Sequence, residues 1–470
     1  MEKRPDRSSL GRRRFLGGSA LAAAGMALGR SRLALADTEA DPSDQFATLN
    51  TPNTFTGDNF FGSGRPWCDV RAFGATGDGS ADDTQAVQSA IDSVGSRGGL
   101  ILFPQGVYRV SAPLVVSSDF VTLRGIGRGS EVFAAPGWAG PAMIVSAGRK
   151  GIRIEDLWLD GQDGRAGLGI DMTPPPGIEA HNWIEGNHIA GFRSGIRIGA
   201  GGFGCHILRN TITTGGTLSG TTRGIDLQGP DNVVAFNRIN NFQEAGIHLG
   251  SGGQQVMGNH VFAYARAVRA TPYPTAIRLA GGGLQVIEGN YLDNVRQNAT
   301  LLIQPVAGRP IHRVLINGNT FMTVSPMRDP GDSAAANYPV VQIDDRAAAV
   351  SGVVIDGNVG VATPDTPFAF ILRQTPTVMQ TAVTNNDVNE CMGWWNRAPK
   401  RYGGNTISMG ASYRRGLADA RSGLVLKTKA GRISDADFDQ PPVDGTMAID
   451  TRNGTLSVRI GKRWRTVRLA

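Results

Sequence analysis

The chain has 470 residues, 64 of them glycine, 7% aromatic residues and a formal net charge of +7. Residues 1–36 hold eight basic and two acidic side chains and residues 400–470 hold 14 and six, so +6 and +8 leave about −7 for the body between 37 and 399. Net positive charge confined to the ends gives no case for nucleic-acid binding by the body, and three widely spaced cysteines (Cys68, Cys205, Cys391) match no disulfide framework or metal spacing and read as buried free thiols.

At the N-terminus, Arg12-Arg13-Arg14-Phe15-Leu16 precedes a small-residue apolar run from Gly17 to Gly29 and an Ala34-Leu35-Ala36 cleavage motif. This is the pattern of a twin-arginine export signal covering residues 1–36, so a periplasmic or secreted mature chain is expected from near Asp37. The apolar run is too short and too rich in Gly and Ala to span a bilayer well, so no membrane span is expected once it is removed. Residues 37–66 are polar and read as an extended leader.

Next comes Cys68-Asp69-Val70-Arg71-Ala72-Phe73-Gly74-Ala75-Thr76-Gly77-Asp78-Gly79, then Ala81-Asp82-Asp83-Thr84-Gln85-Ala86-Val87, then Gly98-Gly99-Leu100-Ile101-Leu102-Phe103-Pro104-Gln105-Gly106-Val107-Tyr108. Asp82 or Asp83 can cap a helix whose apolar positions are Ala86, Val87, Ala90, Ile91 and Val94. Such a helix would cover the open end of a sheet stack. Asp78, Asp82 and Asp83 read as turn and cap residues in preference to a calcium cluster. The stretch resembles the opening of the pectate-lyase-like superfamily related to glycoside hydrolase family 28, a group that includes polygalacturonases, rhamnogalacturonase-type enzymes, epimerases and phage tailspike depolymerases. The resemblance implies a right-handed parallel β-helix that acts on a polysaccharide.

The middle of the chain is repetitive. Gly169-Ile170-Asp171-Met172 returns as Gly195-Ile196-Arg197-Ile198, Gly224-Ile225-Asp226-Leu227, Gly246-Ile247-His248-Leu249 and Ala276-Ile277-Arg278-Leu279. One strand phrase per period of 22 to 30 residues is the signature of a solenoid whose repeats bury their apolar face by stacking. A second phrase ends in asparagine at Asn187, Asn210, Asn237, Asn259, Asn290, Asn319 and Asn358. Asparagine suits a tight corner and can stack in a hydrogen-bonded ladder. The expected fold is all-β: a parallel β-helix over 67–410 with an N-terminal capping helix. Insertions at 174–176, 215–222, 272–274 and 323–339 are expected to project as loops. A linker follows at 411–444, and a small hairpin unit at 445–470 turns at Asn453-Gly454. That unit is similar to the terminal β units of some phage fibre proteins, which leaves a homotrimer open.

Alternation sends the polar residue of each phrase outward, so Asp171, Arg197, Asp226, His248 and Arg278 should form one column. Asp226, His248 and Arg278 follow the order of an Asp, His, Arg arrangement in polygalacturonases. Asp226 is followed by Leu227, however, His248 lacks flanking glycines, and no Lys follows Arg278. Asp226 is the expected acid/base, with His248 as its partner and Asp171 as a further catalytic carboxylate, while Arg197 and Arg278 would grip uronate carboxylates. Glu179, His181 and Glu244 read as surface residues, and a plain solvated ladder of alternating charge is the alternative reading of the column itself. The expected function is an exported glycoside hydrolase or polysaccharide lyase acting on an acidic or bacterial polysaccharide. A non-catalytic glycan-binding, adhesin-like β-helix and a uronate epimerase are the alternatives. No cofactor is expected, with calcium left open, and the partner is the polysaccharide.

Overall fold

The computed structural model describes residues 67–138, 140–162, 167–214, 222–262, 275–293, 299–323, 339–362, 371–389, 391, 401–403, 405–408, 427–437, 447–460 and 463–468. The export signal, the leader and the insertions expected at 215–221, 272–274 and 324–338 lie outside these residues. No helix among the described residues is long and apolar enough to cross a membrane.

Three long sheets make up the body. Two have thirteen strands, running from Trp67–Asp69 to Arg401–Gly403 and from Asp78–Asp82 to Thr406–Ser408, and the third has ten, from Leu114–Val115 to Leu372–Gln374. The chain visits the first, second and third sheet in turn, and each strand pairs in parallel with its counterpart one coil away. The fold is a parallel β-helix. Its inside is a continuous stack of branched side chains: Ile184, Ile207 and Val234 from the first sheet, Ile189, Ile212 and Ile239 from the second, Ile196, Ile225 and Ile247 from the third, all at most 1% exposed. Each such side chain contributes about 1.5–3 kcal/mol on burial, and only the neighbouring coils supply the cover.

The corner between the first and second sheets is made of two residues. The first has positive φ, as at Gly186, Arg209, Phe236, Gly258 and Gly289. The second is the repeated asparagine. From Asn187 through Asn210, Asn237, Asn259, Asn290, Asn319, Asn358 and Asn386 to Asn405, each Nδ2 donates to the Oδ1 of the next at 2.8–3.0 Å. Each backbone N–H donates to the same oxygen, as from Asn210 to Asn237 at 2.9 Å. The buried corner is thereby satisfied without water.

The glycine of the other phrase has a steric cause. A Cβ on Gly224 would lie 2.3 Å from Ile239 Cγ2 and 2.6 Å from the Gly246 carbonyl oxygen, and one on Gly246 would lie 2.3 Å from Val261 Cγ1. These glycines sit where the second sheet's side chains press against the start of the third-sheet strand, and no side chain fits.

The helix Thr84–Ser93 buries Val87, Ala90 and Ile91. Asp83 occupies the cap position, but its carboxylate makes no cap bond: it turns back to accept from the Thr76 and Gly77 amides at 2.7 and 3.1 Å. Asp82 accepts instead from the Thr84 amide at 3.0 Å, and Asp78 from those of Ser80 and Ala81. Gln88 pairs with both backbone groups of Val115, on the edge strand of the third sheet, at 2.8 and 3.0 Å. Two helix side-chain atoms thus replace the missing strand neighbour. Near the C-terminus, Met447–Asp450, Thr455–Ile460 and Arg463–Arg468 form an antiparallel meander. A fourth strand, Lys427–Lys429, adds in parallel to Met447–Asp450. It comes from the stretch read as linker, so the terminal unit is a small sheet and more than a hairpin.

Candidate functional site

In the third sheet the strands Leu168–Thr173, Ser194–Ile198, Arg223–Leu227, Ala245–Leu249 and Thr275–Leu279 lie side by side. Their registers pair Asp171 with Arg197, Arg197 with Asp226, Asp226 with His248 and His248 with Arg278. All five residues share one outward column.

Contacts divide the column. Arg197 grips Asp171, Nε to Oδ1 at 2.9 Å and Nη2 to Oδ2 at 2.5 Å. One coil further, Asp226 Oδ1 lies 2.9 Å from His248 Nδ1 and accepts from Gln228 Nε2 at 2.6 Å, while Oδ2 accepts from Arg223 Nη1 at 2.9 Å. An ionised carboxylate accepts, so Nδ1 carries a proton towards Asp226, with Arg223 Nη1 and Gln228 Nε2 also 3.3 and 3.5 Å from that nitrogen. Burial pushes the Asp226 carboxyl up. The His248 hydrogen bond and the Arg223 charge outweigh that, and hold it below the usual carboxylate range. His248 is 5% exposed.

Behind this pair runs a chain of charge. Arg223 donates Nε and Nη2 to the two oxygens of Glu244 at 2.6 and 2.9 Å. Glu244 Oε1 also accepts from Arg278 Nη1 at 2.7 Å, and Arg278 Nη2 continues to Gln304 at 3.1 Å. Burial pulls Arg223 down, and its bonds to Glu244 and Asp226 more than restore it. A groove of about 450 Å³ opens over the near end, lined by Pro141, Gly167, Leu168, Asp171, Arg193, Ser194, Arg197, Arg223 and Asp226. Three guanidinium groups against two carboxylates favour an anionic ligand.

Of the residues picked from sequence, Asp171, Arg197 and Asp226 line the groove, whereas Arg278 is engaged by Glu244 and Gln304. Glu179 and His181 are an exposed pair 3.7 Å apart. Glu244 is a correction: read as a surface residue, it is 8% exposed and bonded to two arginines. Arg223 was missed because strict alternation would turn it inward with Ile225. Gly224, buried at the corner, breaks the two-residue period and leaves both Arg223 and Asp226 outside. Glu244 comes from the turn ahead of its strand, where no periodic signal exists.

The family model described as "Rhamnogalacturonase A/epimerase, pectate lyase-like" matches residues 67–148. Mannuronan C5-epimerase AlgE3 of Azotobacter vinelandii is 35% identical over 115 residues, 22% of this chain and 6% of its own length. Alginate lyase 7 of the same organism is 36% identical over 113 residues, 21% of this chain and 13% of its own. The chain therefore spans only a small part of these relatives. Among solved structures, the A-module of the Azotobacter vinelandii mannuronan C-5 epimerase AlgE6 superposes with a TM-score of 0.51 at 16% identity, over 72% of this chain and 99% of that one. The chain is pectate-lyase-like over residues 67–148 and, throughout the described coils, a parallel β-helix.

Proposed function

We propose that this chain acts on an acidic polysaccharide by removing the C5 proton of a uronate residue in the third-sheet groove, as a lyase or a C5-epimerase. The observation that carries the reading is the Asp226–His248 pair, 2.9 Å apart, beside a groove lined by Arg193, Arg197 and Arg223. A guanidinium on the uronate carboxylate makes the C5 proton acidic. Ionised Asp226, the member of the pair that lines the groove, takes that proton, and His248 behind it stabilises the charge change. The electron pair then either expels the substituent at C4, leaving a double bond between C4 and C5, or is reprotonated at C5 from the opposite face. Mannuronan and alginate, named in the relatives, are the first polymers to test.

Hydrolysis fits less well. A general acid needs a carboxyl raised towards neutrality, and Asp226 is held low. Both Asp171 oxygens are taken by Arg197, and two strand spacings put the two carboxylates roughly 9.6 Å apart, at the edge of the inverting range.

The experiment incubates the mature protein with a panel of uronate polymers in deuterium oxide. Ultraviolet absorbance of unsaturated ends identifies a lyase, and deuterium at C5 without absorbance identifies an epimerase. New reducing ends without either signal would return the hydrolase. Silence on all three with measurable binding would favour a glycan-binding protein, as the mutual pairing of Arg197 with Asp171 already permits. Twin-arginine export to the periplasm or beyond, and assembly as a trimer, complete the proposal. Signal-dependent fractionation and light scattering test them.

A further inference from the structure

We infer that Glu244 is the positioning residue of this groove, setting how strongly Arg223 engages Asp226; its bearing on turnover rests on the reading above, its electrostatic effect does not. Arg223 has one guanidinium and two carboxylate claimants, with His248 Nδ1 a third neighbour 3.3 Å from its Nη1. Its Nε and Nη2 edge is held by Glu244 at 2.6 and 2.9 Å, so a single nitrogen, Nη1, is left for Asp226 Oδ2 at 2.9 Å. Glu244 is 8% exposed and has a second guanidinium on it, that of Arg278 at 2.7 Å. A carboxylate so enclosed and so bonded is fixed in place, and it fixes both arginines.

The consequence is a tuned base. Without the negative charge of Glu244, Arg223 is uncompensated and free to turn its full edge to Asp226. Both effects hold Asp226 more firmly ionised. Loss of a negative neighbour one guanidinium away lowers the protonation point of Asp226 by about one pH unit. A carboxylate whose protonation point has fallen further is a poorer base for a substrate proton, so turnover falls while Arg193 and Arg197 still line the groove. The loss is expected in kcat, about tenfold or more, with little change in KM.

The test is nuclear magnetic resonance of protein carrying 13Cε1-labelled histidine. The signal missing in His248→Ala identifies His248, and its acidic inflection reports protonation of Asp226, its 2.9 Å neighbour. In Glu244→Gln that inflection should move to lower pH by about one unit, whereas Glu244→Asp, which keeps the charge, should leave it near the wild-type position. An unmoved inflection in Glu244→Gln overturns the inference. Should that variant fail to fold, Glu244→Gln with Arg278→Gln leaves no uncompensated charge from that pair, and the inflection should still fall. The wild-type polymer assay is read separately: a silent wild type defeats the proposed function alone, and an active one whose kcat and pH profile survive Glu244→Gln defeats the kinetic half of this inference.

Discussion

Asp226 and His248, 22 residues apart in the chain, are side-by-side neighbours on adjacent strands with Oδ1 and Nδ1 2.9 Å apart. Nothing local to either residue makes that contact. It exists because one coil of the solenoid takes 22 residues at this point.

The first prediction concerns this pair. Asp226→Ala and His248→Ala should each lower the rate on a uronate polymer by about 10²–10⁴-fold while circular dichroism stays that of the wild type. Full activity in both would remove the pair from the chemistry.

The pH dependence follows from the low-lying Asp226. Its folded protonation point lies below the unfolded one, so the ionised form, and the stability it adds, is present above the ordinary carboxylate value of about 4 and is lost as pH falls through the lower folded value. Activity should therefore persist below pH 4 until unfolding intervenes. Activity already lost on acidification from pH 7 to 5 would assign the base to another group.

Asp293 behaves oppositely. Burial pushes its carboxyl up against the opposing hydrogen bond from His260, and its Oδ1 is buried with no partner. The stability tied to its protonated form is present below the ordinary Asp value and is lost as pH rises through the raised one. Asp293→Asn should then be more stable than wild type at pH 7.5 and close to it at pH 4, read as urea midpoints. A variant weaker at pH 7.5 contradicts this.

Removing one rung of the asparagine ladder should be costly. Asn237 Nδ2 donates to Ile207 and Asn259, and its Oδ1 serves the Asn210 amide and side chain. Asn237→Ala leaves these buried groups unpaired and should lose about 2–4 kcal/mol in denaturant unfolding. A loss under half a kcal/mol would mean that the ladder is ornamental.

Gly224→Ala tests the corner. The added methyl meets Ile239 Cγ2 at 2.3 Å and a backbone oxygen at 2.6 Å, so a loss of about 1–3 kcal/mol is expected in the same measurement. A neutral substitution would mean that the coils shift freely.

The coil was legible in the sequence because stacking repeats it: the Gly-Ile-x-Leu phrases and the asparagines recur, and each copy reinforces the rest. The column from Asp171 to Arg278 was legible for the same reason, since period-two alternation within each phrase fixes which side chain faces out. What escaped obeyed no period. Arg223 lies across a glycine corner that breaks the alternation, and Glu244 belongs to a turn. Asp83 escaped through competition, because two amides at Thr76 and Gly77 outbid the helix end for its oxygens. Lys427–Lys429 carries too short a pattern to stand out from a linker.

The first-to-second-sheet corner is two residues long and locked by Asn187 through Asn405, whereas segments 163–166, 215–221, 263–274, 294–298, 324–338 and 363–370 all join a second-sheet strand to a third-sheet strand. Those connections differ in length from coil to coil while the asparagine corner stays at two residues. Chain length thus varies most at the crossings that lead into the strands of the column carrying Asp226 and His248.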